Sequence, residues 1–284
     1  ELNIGRLLEA LTTQKLSRVE IREIFVVSSG STDATDSIVK DWEKRDERIK
    51  LIRQESREGK SSAINLFLAR AEADVFVLES GDTVPSRDCV EQMVIPFEDE
   101  GVGMTGGRPV PVDDASTFMG FVVHMLWRLH HMMALKSPKL GEMVAFRSFV
   151  RSIPPESAVD EASIEAIVIE HGKELRYAPD AVVHNKGASS VRDFIKQRRR
   201  IYAGHLWLSQ VQSYEVSTKK VGGILSVLFE DLTWSPRVLA WTAGGVFLEF
   251  VGRLLGIVDF RILKRNPYNW EVSQSTKELS TLDT

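Results

Sequence analysis

Several short stretches of this 284-residue chain carry side chains able to act on anions or on hydroxyl groups. The stretch 74–85 opens with the apolar run Val75–Leu78 and ends in Glu79, Ser80, Gly81 and Asp82. A buried strand that delivers a carboxylate to its C-terminal end places it where open α/β sheets bind ligands. Asp82 is therefore a candidate to hold a divalent metal against a diphosphate, with an acidic surface turn as the other reading. Ser28-Ser29-Gly30-Ser31-Thr32-Asp33 is a Gly- and Ser-rich loop whose backbone N–H groups suit phosphates, or an ordinary strand-to-helix connection. Arg57, Gly59 and Lys60 put a basic pair at a helix N-terminus, which suits an anionic ligand or makes a solvated loop. Asp160 and Glu161 open another helix. Such a pair satisfies the helix dipole on its own, and it also supplies a general base for a hydroxyl proton.

These residues need elements to position them. Ile4, Leu7, Leu8 and Leu11 recur at helical spacing, predicting a helix over 3–14. Strands are expected at 23–27, 50–53, 75–78 and from 102, with Pro85 blocking any continuation of the third. Helices are expected from Asp33 or Thr32 as cap towards Arg45, over 61–71 and over 116–135. A strand following Lys139, a helix from Ser163 to His171 and a strand over 175–184 complete the set. This strand–helix alternation predicts an α/β fold with a parallel sheet and right-handed crossovers. The chain opens on a helix where such a fold starts with a strand, so a strand is expected ahead of it. His124, His130 and His131 lie on the 116–135 helix, but no tight ligand spacing makes them a metal site.

With 43% hydrophobic and 27% charged residues the composition is that of a globular protein rather than a disordered one. A net charge of -4 weighs against a nucleic-acid partner. The single cysteine, Cys89, excludes an internal disulfide and a multi-cysteine zinc site and favours an intracellular setting. No secretory signal is visible. No apolar run reaches the roughly 18–20 residues of a plain membrane span.

The Ser28–Asp33 loop, then Gly59-Lys60-Ser61-Ser62-Ala63-Ile64-Asn65, then Ser80-Gly81-Asp82-Thr83-Val84-Pro85 occur in the order found in family 2 glycosyltransferases of the GT-A fold, which the chain resembles. The resemblance implies a Rossmann-like, mostly parallel sheet flanked by helices, a UDP- or GDP-sugar donor, and Mg²⁺ or Mn²⁺. In that family the third element is an Asp-x-Asp motif on the metal and the donor diphosphate. Here Ser80 stands where the first Asp is usual, leaving Asp82 as the principal metal carboxylate. Ser28 and Ser29 also stand where Asp is frequent. Ser29, Asp33, Lys60 and Ser80 are the implied donor-side residues, and the glycines over 101–107 lie in a region near the donor sugar. Glu1-Leu2-Asn3 is similar to the tail of the family's opening strand and loop, which implies a strand and part of the base pocket ahead of it.

Asp160-Glu161 stands where processive members carry Glu-Asp, and Gln197-Arg198-Arg199-Arg200-Ile201 resembles their Gln-x-x-Arg-Trp motif. Residues 162 to 196, 35 residues, separate Glu161 from Gln197, the spacing of that pattern. This implies Glu161, with Asp160 as the alternative, as the base of an inverting transfer. It also puts Gln197 and Arg200 on phosphates or acceptor, with the arginine run neutralising the leaving diphosphate. Glu142, in a loop similar to the family's acceptor-side loop, is an acceptor-site candidate. Ile201 occupies the position of the motif's Trp at the acceptor site, which favours single addition over polymerisation.

The expected organisation is a catalytic domain over 1–205 and a C-terminal amphipathic helical region over 206–284 ending in a polar tail from about Ser273. Val238–Leu248 is uncharged, Glu249 and Arg253 form an i,i+4 pair, and Arg261, Lys264 and Arg265 follow. Such a segment suits either a membrane interface with its basic residues at headgroups or packing on the catalytic domain. The expected function is a metal-dependent transfer of a sugar to a lipid-linked or glycan acceptor, in the cytoplasm at the inner face of the cell membrane. A catalytically silent binding protein and a sugar nucleotidyltransferase are the competing readings.

Overall fold

The computed structural model describes residues 1–214 and 234–265, so the polar tail lies outside the described residues. The elements are α1 (Ile4–Thr12), β1 (Ile24–Ser29), α2 (Thr35–Glu43), β2 (Ile49–Gln54), α3 (Lys60–Leu68) and β3 (Val75–Leu78). They continue as β4 (Val84–Pro85), α4 (Cys89–Val94), β5 (Val102–Pro111), α5 (Phe118–Lys136) and β6 (Val144–Arg147). The last are α6 (Asp160–Glu170), β7 (Glu174–Asn185), α7 (Val191–Val211) and α8 (Pro236–Ile257). The apolar periodicity locates the strands and helices it predicts to within a few residues, while β4, α4 and α7 are elements it did not predict.

The strands form two sheets. β1 and β2 pair in parallel, and the other five follow the order β3–β6–β5–β7–β4. Parallel pairing recurs between β5 and β7, whereas β6 runs antiparallel to both β3 and β5. Val144, Ala145 and Phe146 of β6 are all fully buried. A continuously apolar run of this kind reads the same in either direction, so its orientation is set by its neighbours. Pro85 does not simply end the chain's extended run: Val84–Pro85 makes a short strand at the sheet edge, antiparallel to β7. At an edge the missing proline N–H costs no ladder bond.

No hydrogen-bonded ladder joins β1 to β3 among the described residues. An aromatic series bridges them instead. Phe25 of β1, Phe67 of α3, Phe76 of β3 and Phe146 of β6 follow one another at centroid distances of 5.9, 5.3 and 6.0 Å, the last two pairs edge-on. Edge-to-face rings add dispersion and quadrupole attraction to their area burial. Gly106 of β5 serves packing: a Cβ there would lie 2.8 Å from Leu140, so backbone and loop touch with no room for a sugar between them.

The boundary expected at residue 205 falls inside α7, which runs unbroken to Val211. α8 and the π turn that prolongs it form one helical stretch over 236–262, long and apolar enough by composition to cross a membrane. Its length was hidden in the sequence because Glu249, Arg253 and Asp259 interrupt the apolar run. Those charges face the protein: Glu249 binds Arg198 at 2.6 Å, Arg253 binds Glu249 at 2.8 Å, and Asp259 pairs with Arg199. Gly245, Gly252 and Gly256 line the same buried stripe. A Cβ at Gly252 would meet the Arg198 Cβ at 2.6 Å, and one at Gly256 the Arg199 carbonyl oxygen at 2.8 Å. The opposite face leaves Phe247, Phe250 and Leu254 exposed.

The Gly256→Val substitution is expected to push α8 off α7 and cost about 1–3 kcal/mol, as overpacking of a close contact does. Phe247→Ser on the outer face should stay within about 0.5 kcal/mol of the parent. Urea unfolding followed by far-UV circular dichroism measures both; equal costs would show that the glycine stripe does not set the helix contact.

Candidate functional site

The site is built where α3 meets α6. Gly59 precedes Lys60 with φ 95, a left-handed backbone that suits glycine, and turns Lys60 into the first residue of α3. The Lys60 Nζ lies 2.8 Å from Asp160 Oδ2 and 3.0 Å from Glu161 Oε1. These carboxylates are the first two residues of α6, where the helix dipole favours negative charge. The rest of the Gly59–Asn65 motif holds this contact in place. Ser61 Oγ donates to the Ser157 carbonyl at 2.7 Å. The Asn65 amide donates to the Ile153 carbonyl at 3.0 Å and accepts from the Ile153 N–H at 2.8 Å. Two side chains on one face of α3 thus clamp the loop that leads into α6.

The two carboxylates differ in environment. Asp160 is 3% exposed, and burial together with the adjacent Glu161 charge raises its pKa above the usual range. Glu161 is half-buried; burial opposes its charge, but Lys60, backbone N–H and Arg200 outweigh that and hold it below the usual range. Burial alone would lower Lys60, yet the pair of carboxylates raises it, so it stays cationic. Arg200 enters from α7: burial pulls its guanidinium down while Asp160, Glu161, Glu142 and Asp82 act against that. Gln197 lies one turn earlier on the same face of α7.

A second acidic group gathers at the end of β3. Thr83 Oγ1 donates to the Ser80 carbonyl at 2.7 Å and also bonds the Glu79 carboxylate, tightening the turn that presents Asp82. Burial, then the charges of Glu142 and Asp82, push Glu79 up to about 8 despite the Thr83 bond, and Glu79 Oε2 is buried without a partner. Glu142 takes the left-handed backbone, φ 61, unusual for a residue with a side chain. Burial, Asp82 and Glu161 push it up to about 7. Glu142 was a sequence candidate for the acceptor side, but its closeness to Glu79 and Asp82 was not legible there, since these carboxylates converge only in the fold.

Among the described residues no three His, Cys, Asp or Glu side chains form a ready-made metal cage. The donor set nevertheless fits a hard divalent cation. Such ions take one or two carboxylates and complete their shell with substrate phosphates and water. Asp82, with the unpartnered Glu79 oxygen nearby, offers that; burial raises Glu79 and Glu142 first, and the repulsion from Asp82 that adds to it is what a cation would relieve.

Ser29, Asp33, Arg57, Lys60, Ser80 and Asp82 all line one cleft of about 960 Å³ between β1 and β3. Ser29 Oγ donates to the Ser56 carbonyl at 3.5 Å. Asp33 accepts the Thr35 N–H at 3.0 Å, and its hydrogen bonds to Thr35 hold it well below the usual carboxylate range. The N-cap of α2 is Ala34 rather than Asp33 or Thr32, so Asp33 supports the turn from one residue outside the helix.

Other expected residues point elsewhere. Successive residues on a helix diverge by about 100°, so the arginine run splits: Arg198 and Arg199 pair with Glu249 and Asp259 of the α8 segment, and Arg200 serves the site. Ile201 packs in an apolar cluster with Val159, Ala162 and Leu208 rather than standing open. The α5 histidines are taken up in packing: His124 bonds the Asp113 carbonyl at 2.8 Å, His131 the Tyr177 hydroxyl at 2.9 Å, and His130 is buried.

Because Glu79, Glu142 and Glu165 titrate at about 8, 7 and 7 when folded against 4.5 ordinarily, the folded chain binds more protons than the unfolded one across that window. Stability is then full at low pH and falls as pH rises through the folded values. The chain should lose on the order of a few kcal/mol between about pH 6 and about pH 8. Mn²⁺ competes with those protons and should raise the melting temperature more at the higher pH. Calorimetry at both pH values with and without Mn²⁺ tests this; a melting temperature indifferent to pH and to metal contradicts it.

Known proteins share this arrangement of strands and helices. The sequence model of glycosyl transferase family 2 matches residues 1–154. The glycosyltransferase AglE of Haloferax volcanii is 25% identical over 106 residues, 37% of this chain but only 34% of that protein's length. Among solved structures, the mannosyltransferase PcManGT from Pyrobaculum calidifontis superposes with a TM-score of 0.62 at 19% identity, over 92% of this chain and 84% of that one. Glucosyl-3-phosphoglycerate synthase from Mycobacterium tuberculosis follows at a TM-score of 0.52 and 16% identity, over 73% and 75% of the two chains. These are GT-A glycosyltransferase folds. With its family model spanning more than half of its residues, the chain belongs to glycosyl transferase family 2.

Proposed function

We propose that this glycosyltransferase moves one sugar per cycle, with inversion, from a UDP- or GDP-sugar to a hydroxyl of a glycan or lipid-linked acceptor. The observation that carries the reading is the Lys60 bridge, which joins the cleft lined by Asp82 to the Asp160–Glu161 pair. Glu161, the half-buried and more acidic member, is the general base, and Asp160 beneath it anchors Lys60. In the transfer, the acceptor oxygen forms a bond to the anomeric carbon as the bond to the diphosphate breaks. The hydroxyl proton passes to Glu161, and the electron pair leaves with the nucleoside diphosphate. Lys60 keeps Glu161 ionised before the transfer, and Arg200 offsets negative charge beside it. Gln197 lies on the same α7 face, within reach of phosphate or acceptor.

Asp82, supported by Glu79, is the place for Mg²⁺ or Mn²⁺, which stabilises charge building on the diphosphate when bound. PcManGT was solved with GDP-mannose and Mn²⁺, and the glucosyl-3-phosphoglycerate synthase with UDP and Mn²⁺, which supports a nucleotide-sugar and a divalent cation here. Ser29, Asp33 and Ser80 face the donor, and Glu142 faces the acceptor side. Ile201, in its apolar cluster, offers no open ring for a growing polymer, which supports single addition.

The outer face of α8 supports peripheral contact with the cytoplasmic face of a membrane. Phe247, Phe250, Leu254 and Ile262 are exposed together, with Arg237, Arg261, Lys264 and Arg265 at the two ends. Apolar side chains enter the headgroup boundary while flanking cations meet anionic lipid.

A screen of nucleotide sugars with and without Mn²⁺, following nucleoside diphosphate release over a lipid extract, tests the activity. Asp82→Asn should abolish metal-dependent release, and Glu161→Gln should slow transfer to hydroxyls about a hundred- to ten-thousand-fold while donor binding persists. Absence of metal-dependent release from every donor would leave a silent binding protein. Pyrophosphate release from a nucleoside triphosphate would point to a nucleotidyltransferase instead. For the membrane contact, the double substitution Phe247→Ser and Phe250→Ser should reduce co-sedimentation with phosphatidylglycerol-containing vesicles about tenfold; undiminished sedimentation would exclude α8 as the contact.

A further inference from the structure

Glu165 is a buried carboxylate, 2% exposed, that takes no part in the proposed transfer. It stands one helical turn after Glu161 on the same face of α6. One of its oxygens accepts the Leu140 N–H at 3.2 Å, and the other accepts the Tyr214 hydroxyl at 3.0 Å. Two acceptor oxygens are what a carboxylate supplies and an amide does not. The bond to Leu140 fixes one end of a short turn. The Leu140 side chain is buried in the core with Ile164 and Tyr177, against Gly106, where a Cβ would meet it at 2.8 Å. The other end is held at Met143, whose carbonyl accepts the Gly107 N–H at 3.0 Å.

Only Gly141 and Glu142 lie between these anchors. A span this short leaves the backbone little freedom, and Glu142 takes its left-handed conformation there, φ 61. Such a backbone persists where the surroundings enforce it, and the enforcing contacts here are those of Leu140 and Met143. Asn185, 4% exposed at the end of β7, hydrogen-bonds the Glu142 carboxylate that the turn presents. Without the Glu165 oxygen the Leu140 N–H would be buried and unsatisfied, and the turn would relax to find water. α6 therefore carries Glu161 and, four positions on, the residue that fixes the Glu142 turn.

We propose that Glu165 is a positioning residue, which fixes the 140–143 turn and so sets Glu142 at a constant offset from Glu161. This rests on the reading of Glu161 as the base and of Glu142 as facing the acceptor. The two carboxylates come from elements remote in sequence, and a misplacement of about 1 Å in such a pair costs on the order of a hundredfold in rate. Glu165 ties the turn that bears one to the helix that bears the other. The device works through reach rather than charge, since the side chain has to extend as far as Leu140. Its second oxygen attaches the chain beyond α7 through Tyr214, a bond on which the turn does not depend.

Glu165→Asp and Glu165→Gln separate the two properties. The aspartate keeps the charge but is one methylene short of Leu140, whereas the glutamine keeps the reach and one acceptor oxygen. Amide hydrogen exchange of the full chain reads the turn without turnover. In Glu165→Asp the Leu140 amide and its neighbours up to Met143 should exchange about tenfold faster, as loss of one buried hydrogen bond implies, while α3 stays as in the parent. Glu165→Gln and Tyr214→Phe should match the parent over 140–143. The functional arm takes a nucleotide sugar from the donor screen and compares transfer to the lipid extract with hydrolysis by water. Glu165→Asp should lower the ratio of transfer to hydrolysis about tenfold or more, and Glu165→Gln should preserve it. A protein that is merely destabilised would lose both reactions together. Unchanged exchange over 140–143 in Glu165→Asp, or a glutamine variant as impaired as the aspartate, overturns the proposal. A ratio that falls in Glu142→Gln but not in Glu165→Asp overturns it too. A ratio indifferent to Glu142→Gln removes Glu142 from the acceptor side, a result separate from the exchange that decides the anchor.

Discussion

The ammonium of Lys60 between Asp160 and Glu161 is the contact on which the rest of the site depends. Two adjacent carboxylates, one of them nearly fully buried, repel each other and resist desolvation. A single cation at 2.8 and 3.0 Å makes their burial tolerable and leaves Glu161 ionised. The cation has to come from a rigid element, since a solvated lysine on a flexible loop would gain little from such a pair. Gly59 with its left-handed backbone, and the Ser61 and Asn65 bonds to the loop before α6, supply that rigidity. The same clamp connects the cleft between β1 and β3 to the start of α6.

Around this contact, charge is distributed unevenly, in two opposite directions. Towards β3, Glu79, Asp82 and Glu142 bring more negative charge than the protein neutralises, and two of the three are pushed towards protonation. Towards the loop before β6, Lys139 and the α7 arginines bring an excess of positive charge, and Lys139 and His205 shift the other way. Neither imbalance strengthens the fold, because buried charge without a partner costs free energy. On the acidic side, the surplus negative charge is what a divalent cation would neutralise. The left-handed Glu142 lies between the two, and strain of this kind persists where surrounding structure enforces it.

α8 shows the same division of labour on a larger scale. Its charged residues and glycines face α7 and allow the helix axes to approach, and its aromatic and aliphatic residues face outward. In consequence two of the three arginines of the Gln197–Ile201 stretch are structural, spent on holding α8 beside the site. Only the third turns towards the carboxylates.

Much of this was present in the sequence. Apolar periodicity located β3 and the helices, because a strand or an amphipathic helix writes its period directly into the order of residues. The order of the Ser28–Asp33, Gly59–Asn65 and Ser80–Pro85 stretches carried the family, and the spacing from Glu161 to Gln197 carried a candidate base. The direction of β6 was not legible, since Val144–Phe146 is apolar on both faces. Nor was the division among Arg198, Arg199 and Arg200, which follows from helix rotation relative to a partner far along the chain. The Lys60 bridge and the convergence of Glu79 and Glu142 belong to tertiary structure alone. Each is a balance of charge and burial among residues remote in sequence, and neither composition nor spacing records which of them share a low-dielectric site.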